Sequence, residues 1–364
     1  MSVILSHNTA LWAIRTLRAE GANFGLWTDF GVVERSLPWI GKHWSVREFA
    51  SSEWRWPEPS AACELHVLVP PKHEIRMHHV HSHVCGGDLS AQSILSLDGH
   101  AGVVCPELLF VQMAETLELA QLVMLGYELC GTFTRFANRP MDGPVVDHVC
   151  PATTVDGIRQ YLNQGTRVRG TKRARLALAY VRDGAASVPE AKLATMYELP
   201  SEEYGYGLGP ITLNKRVGVN KTRGSLKRGE RFPDILFSFA PIGINYDGEK
   251  DHLDLDGLTR LASAAALADD ESSADAKKAL AKKRRNLRNK AVDDMHRDRE
   301  LLCEGLVVLR ATKEDVNGIG RLDNFTRQLL RCAQVYFGVD VSQYEKTLDD
   351  SELRSNRYDL WQSL

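Results

Sequence analysis

At 364 residues the chain is long enough for two domains, each with a core of its own. With 43% hydrophobic and 25% charged residues and a net charge of −2, it has a globular composition that excludes a uniformly basic coat for nucleic acid. Seven scattered cysteines with no C-x-x-C pair exclude a disulfide framework, and neither a signal layout nor a membrane-length apolar run stands out, so the expected location is the cytoplasm.

Ser6 or Asn8 opens a helix through about Ala19, amphipathic through Leu11, Trp12, Ile14, Arg15 and Leu17. Such a helix suits docking on the first domain better than a winged-helix-like module. Trp27, Trp39, Trp44, Trp54 and Trp56 follow in an irregular stretch, where pinning a loop to a core outweighs base stacking. Leu65–Val69 reads as a buried strand and Ile75–Val84 as a second. The second carries His78, His79, His81 and His83, with Cys85 next. Strand alternation puts His79, His81, His83 and Cys85 on one face. Imidazole and thiolate are transition-metal ligands. Successive same-face residues stand about 7 Å apart, so only two reach one ion, and a solvated or partner-facing stripe is the stronger expectation. Ser93–Asp98 is a further strand, and Pro106 opens a long buried helix to about Cys130, the spine of the first domain. Residues 140–151 read as a linker. Residues 1–150 are thus an α+β domain, regulatory or DNA-binding, and the expected surface for a protein partner.

Beyond the linker, a helix from Thr154 or Asp156 runs to about Gln164. Arg167, Arg169, Lys172, Arg173 and Arg175 then place five cations in nine residues, a pattern equally suited to a solvated face and to phosphate contacts. Ser187 caps a helix through about Leu199 that carries Glu190 in its first turn. Ile211–Val219 is a strand, and a basic turn with Lys227 and Arg228 leads to residues 230–252. That stretch reads as two strands broken at Pro241-Ile242-Gly243. Asp234 sits in the first, and Asp247-Gly248 ends the second, with Lys250 and His252 beyond. An acid in an apolar strand is costly to bury unless it is paired or binds a cation. Two on adjacent strands can share one hard cation, beside which a Lys or His helps activate water. A charged helical insertion follows at about 255–292. Its strongest basic block, Lys282, Lys283, Arg284 and Arg285, is either a solvent-exposed arm or a clamp on nucleic-acid backbone. A strand over Leu306–Thr312, a helix over Leu322–Phe337 and a peripheral tail at 341–364 complete the chain.

Pro233-Asp234, then Asn245-Tyr246-Asp247-Gly248 and His252, resembles the PD-(D/E)XK, or restriction-endonuclease-like, superfamily. The similar branch contains very-short-patch-repair-type endonucleases. The pattern departs where the usual Glu is Asn245 and the usual Lys two residues later is Asp247. The resemblance implies an α/β nuclease-like domain over 151–340 with core order α-β-β-β-α-β-α and the helical insertion within it. It implies a Mg²⁺- or Mn²⁺-dependent endonuclease acting on DNA. In that scheme Asp234, Asp247 and Glu190 hold the metal, the Asn245 oxygen orients the shell, and His252 or Lys250 moves the proton. Arg167, Arg169, Lys172, Arg173, Lys227, Arg228 and Lys282–Arg285 would contact the nucleic acid. The same resemblance, with an uncharged Asn at the acid position, also implies a degenerate nuclease fold acting as a DNA-binding regulator, similar to abortive-infection antitoxins.

Overall fold

The structure, a computed structural model, describes residues 3–22, 60–71, 74, 76–85, 89–90, 92–97, 101–165, 168–219, 229–248, 262–263 and 270–364. The tryptophan-rich stretch lies outside them. The chain is a mixed α/β protein that divides into two units, Met1–Leu199 with Gln362–Leu364, and Pro200–Trp361. Among the described residues no helix is long and apolar enough to cross a membrane.

The first unit opens with β1 (Val3–Leu5) and α1 (His7–Ala19), followed by β2 (Leu65–Val69), β3 (Val80–Val84), β4 (Ile94–Ser96) and β5 (Ala101–Val104). These strands form one mixed sheet in the order β3-β2-β1-β5-β4. β1 runs parallel to β5 and antiparallel to β2, and β2 runs parallel to β3. β1 is central and apolar throughout, so Val3, Ile4 and Leu5 are all buried. The strand expected from Ile75 begins only at Val80, because His79 turns the chain with φ 59°.

The helix expected from Pro106 to Cys130 is instead two, α2 (Pro106–Met113) and α3 (Leu119–Leu129). Glu118 takes an extended conformation (φ −64°, ψ 158°), and its backbone N–H donates to Gln121 Oε1 at 3.4 Å, which starts a new helix. β6 (Phe133–Arg135) and β7 (Val145–Asp147) pair as a ribbon. α4 (Val155–Asn163), α5 (Thr171–Leu178) and α6 (Val188–Glu198) follow, and α5 and α6 pack on α3.

The division between units therefore falls at Leu199, about fifty residues after the expected linker. Two buried arginines on α1 explain why residues 140–151 do not separate domains. Arg15 donates to the carbonyls of Ala137, Arg139 and Pro140, and Arg18 to that of Cys150. Arg15 also forms a bidentate pair with the buried Glu128 of α3, both contacts at 2.7 Å. Arg135 adds a second cation to Glu128 at 3.2 Å. Burial alone would raise the Glu128 pKa; Arg15 and Arg135 together outweigh it and hold the carboxyl down at about 2.

The second unit begins with a short 3-10 turn at Ser201–Glu203, then β8 (Ile211–Leu213), β9 (Val217–Gly218), β10 (Glu230–Arg231), β11 (Ile235–Phe237) and β12 (Ile242–Asp247). α7 (Asp270–Cys303), β13 (Val307–Thr312), α8 (Ile319–Phe337), α9 (Ser342–Asp349) and α10 (Ser351–Ser363) complete it. β8, β11 and β12 form an antiparallel meander, and β13 adds parallel to β12, giving the order β13-β12-β11-β8. A parallel neighbour requires a crossover, and α7 supplies it. Gly243 permits the β11–β12 approach, since a Cβ there would meet the Ile235 carbonyl oxygen at 2.5 Å. The charged insertion and the following helix are thus one continuous helix from Asp270.

The tail is packed rather than peripheral. Val341, Leu348 and Arg357 are buried, and Arg357 Nε lies 3.4 Å from the buried Asp323 of α8, which also accepts from the Tyr206 hydroxyl at 2.8 Å. A polar-looking tail is held because its arginines answer that one buried carboxylate.

Candidate functional site

Asp234 lies just before β11 and opposite Asn245 of β12, as the Ile235–Ile244 register requires. The two side chains close a reciprocal pair. The Asp234 backbone N–H donates to Asn245 Oδ1 at 3.2 Å, and the Tyr246 N–H donates to Asp234 Oδ2 at 2.6 Å. Asn245 is 1% exposed, and its Nδ2 has no acceptor among the described residues.

Two residues on, Asp247 meets arginines instead of a lysine. Arg310 on β13 places Nη1 3.2 Å from Asp247 Oδ2 and 3.2 Å from Asp294 Oδ2, and its Nε donates to Asp298 Oδ2 at 2.9 Å. Arg297 Nη2 stands 3.5 Å from Asp294 and 3.9 Å from Asp247. Desolvation weakens the Arg310 charge most, but Asp298 and Asp294 together outweigh it and raise its pKa above the ordinary value. Asp294, Arg297 and Asp298 share one face of α7 by their i, i+3, i+4 spacing. That spacing was the available signal for them; their meeting with Arg310 depends on the β12–β13 pairing.

A magnesium or manganese ion asks for several oxygens free to turn toward it. Here Asp234 Oδ2 and Asn245 Oδ1 accept backbone N–H groups, and Asp247 Oδ2 faces a guanidinium. Among the described residues no group of three or more His, Cys, Asp or Glu is placed to hold a metal ion. These residues do not fit the metal. Lys250 and His252 lie outside the described residues.

Glu190 belongs to the first unit, where it closes the start of α6. It accepts from the Ala186 N–H at 3.0 Å and from the Ser187 hydroxyl at 3.1 Å. The other acids stand in the second unit, so the expected three-acid set is divided between two units.

Of the expected nucleic-acid contacts, Arg167, Lys227 and Arg228 lie outside the described residues. Arg169 is exposed just before α5, and Lys172 and Arg173 open that helix, where Arg173 pairs with Glu118 at 3.0 Å. On α7, Lys282, Arg284 and Arg285 are exposed and Lys283 is half-buried. Lys278, Lys282 and Arg285, at i, i+4 and i+7, share a face with Lys277 and Arg288 beside it. Lys277 to Arg288 spans about 17 Å of helix.

The histidine stripe is larger than the sequence suggested. His81 and His83 of β3 face the same way as His66 of β2, and His7 joins them from the start of α1. His66 Nδ1 and His83 Nε2 are 2.8 Å apart, an edge-to-edge hydrogen bond. The His7 ring stacks on His83, with centroids 3.5 Å apart and planes inclined by 19°. His81 Nε2 lies 3.0 Å from Glu64 Oε2. The His66 and His83 nitrogens that meet are committed to that hydrogen bond and not to an ion. Burial first, then His83 and His66, pushes the His7 pKa down to about 3. Burial and then His66 push His83 down to about 4. His79 precedes the strand, and Cys85 follows it. His7 and His66 were missed because each is solitary in the sequence.

No protein-family profile, no curated protein and no solved structure matches this chain.

Proposed function

We propose that this chain binds nucleic acid through a catalytically degenerate restriction-endonuclease-like domain and acts as a DNA-binding regulator of the abortive-infection antitoxin kind. The observation that carries this reading is the state of the acid positions. An uncharged Asn245 has its oxygen committed to the Asp234 backbone, and Arg310 supplies the positive charge facing Asp247. The order β8, β11, β12, α7, β13, α8 adds support, with its antiparallel meander and parallel fourth strand. So does the exposed cationic face of α7, a suitable surface for phosphates.

The second reading, a metal-dependent DNA endonuclease, is favoured by the local charge. Asp234, Asp247, Asp294 and Asp298 outnumber Arg297 and Arg310 around one end of β12. One experiment separates the two. The full chain and an Asp234→Ala variant are incubated with supercoiled and linear DNA and with Mg²⁺ or Mn²⁺, and binding to duplex DNA and to single-stranded RNA is titrated against salt. The regulator reading expects no cleavage and salt-sensitive DNA binding by both proteins. Metal-dependent nicking that disappears in Asp234→Ala would replace it with the endonuclease.

A further inference from the structure

The first unit contains a cavity of about 690 Å³ between the β2–β3 face and α2, within the size range of small-molecule sites. His7 forms its buried floor. The residue is 6% exposed, and its Nδ1 has no hydrogen-bond partner among the described residues. Its backbone sits at φ 48°, a left-handed conformation that costs a non-glycine residue energy and persists only when the surroundings enforce it. The enforcing contacts are visible: the His7 N–H donates to the buried Gln112 Oε1 at 3.3 Å, and the ring lies flat on His83. The chain thus holds a neutral hydrogen-bonding imidazole edge in a cavity and leaves that edge unanswered.

Leu68 and Leu108 supply apolar wall. Arg169, Glu74 and Glu115 also line the cavity, all three are exposed, and none has an ion-pair partner among the described residues. Unpaired charges of both signs around a cavity with a neutral polar floor suit a ligand that itself carries both signs. A simple anion would meet the two glutamates, and a simple amine would meet Arg169.

We propose that this cavity binds a free amino acid, or a derivative keeping both its ammonium and carboxylate groups, with a neutral polar side chain. The carboxylate pairs with Arg169, the ammonium with Glu74 and Glu115, and the polar end of the side chain reaches His7 Nδ1. This site does not depend on how the second unit is read.

The test is calorimetric titration of the full chain at neutral pH with glutamine, asparagine, serine and threonine. Leucine is the apolar comparison, and butylamine and butyrate carry one charge each. The expected result is saturable binding of at least one of the four polar amino acids. Arg169→Ala should weaken it by about tenfold or more, the loss expected for a charged hydrogen bond. His7→Asn, which tolerates the left-handed backbone, should weaken it as well. The proposal is overturned if none of the four binds. It is equally overturned if leucine, butylamine or butyrate binds as tightly, or if both variants bind like the native chain.

Discussion

Acid should destabilise the first unit through His7 in particular, and His7→Asn should remove that share. The unfolded chain takes up a proton on this imidazole below its ordinary value of 6.5, whereas the folded protein resists until about 3. Because the folded pKa is depressed, this contribution to stability is complete above about pH 6.5 and shrinks as the pH falls toward 3. At about pH 5 the unfolded state has gained roughly 2 kcal/mol from this group alone. The groups facing His7 are His83 and His66, with His81 and Glu64 beyond them; Gln112 from α2 is uncharged, and Arg169, Glu74 and Glu115 line the same cavity. His66 and His83 are also shifted down, by burial first and then by neighbouring histidines, and both remain in the variant. Asparagine accepts the φ of 48° at position 7 and cannot titrate. Urea unfolding of both proteins by circular dichroism, at neutral pH and near pH 5, gives two stability differences. The native chain should lose about 2 kcal/mol more than the variant over that interval. Equal losses would refute the claim that the buried imidazole resists protonation.

Arg310→Ala strips the shared cation from Asp247, Asp294 and Asp298 and should cost about 2 kcal/mol, a buried-pair loss reduced for partial exposure. Millimolar Mg²⁺ should then restore part of the urea midpoint in the variant and leave the native chain unchanged. Glu128→Gln keeps the shape but leaves Arg15 and Arg135 without their carboxylate, so a destabilisation of about 3 kcal/mol is expected in the same assay. Replacing Lys278, Lys282 and Arg285 together by glutamine should flatten the dependence of duplex-DNA affinity on salt by a log–log slope of about 2 to 3. An unchanged slope would remove α7 from the interface.

The strands of the second unit were legible in part: apolar runs bounded by Gly, Pro and Asp mark β11 and β12, but the break falls at 238–241, because Ile242 and Gly243 pair within β12, and the expected strand over 211–219 is two, β8 and β9, in separate sheets. Ser187 and Thr154 announced their helices and do accept the expected N–H groups, from Glu190 and Gly157. The domain boundary was misread because turn-rich composition looks the same in a free linker and in a ribbon nailed down by buried arginines. Only the pairing of α1 with residues 137–150 distinguishes them. Asp234, Asn245 and Asp247 were identified from local pattern, and the structure brings Asp234 and Asn245 into direct contact. Arg310, Asp294 and Asp298 were not, since their meeting requires a strand pairing across sixty residues of chain. The histidine cluster was half visible: β3 carries a stripe, but His7 and His66 enter from other elements.

The crossover helix is far longer than a crossover needs. At 34 residues it runs about 51 Å, while its sheet-facing acids occupy only the last three turns. The geometry makes α7 a ruler with a fixed zero. Its anchored end is clocked against β13 by Arg310, so the angular position of every cation upstream is set by residue count alone. Deleting seven residues between the two segments would return the charged face to within about 20° of its present bearing and bring it about 10 Å nearer the sheet. Deleting five would swing it to the far side. In this helix reach and bearing are separate variables, adjustable by length without disturbing the sheet that holds it.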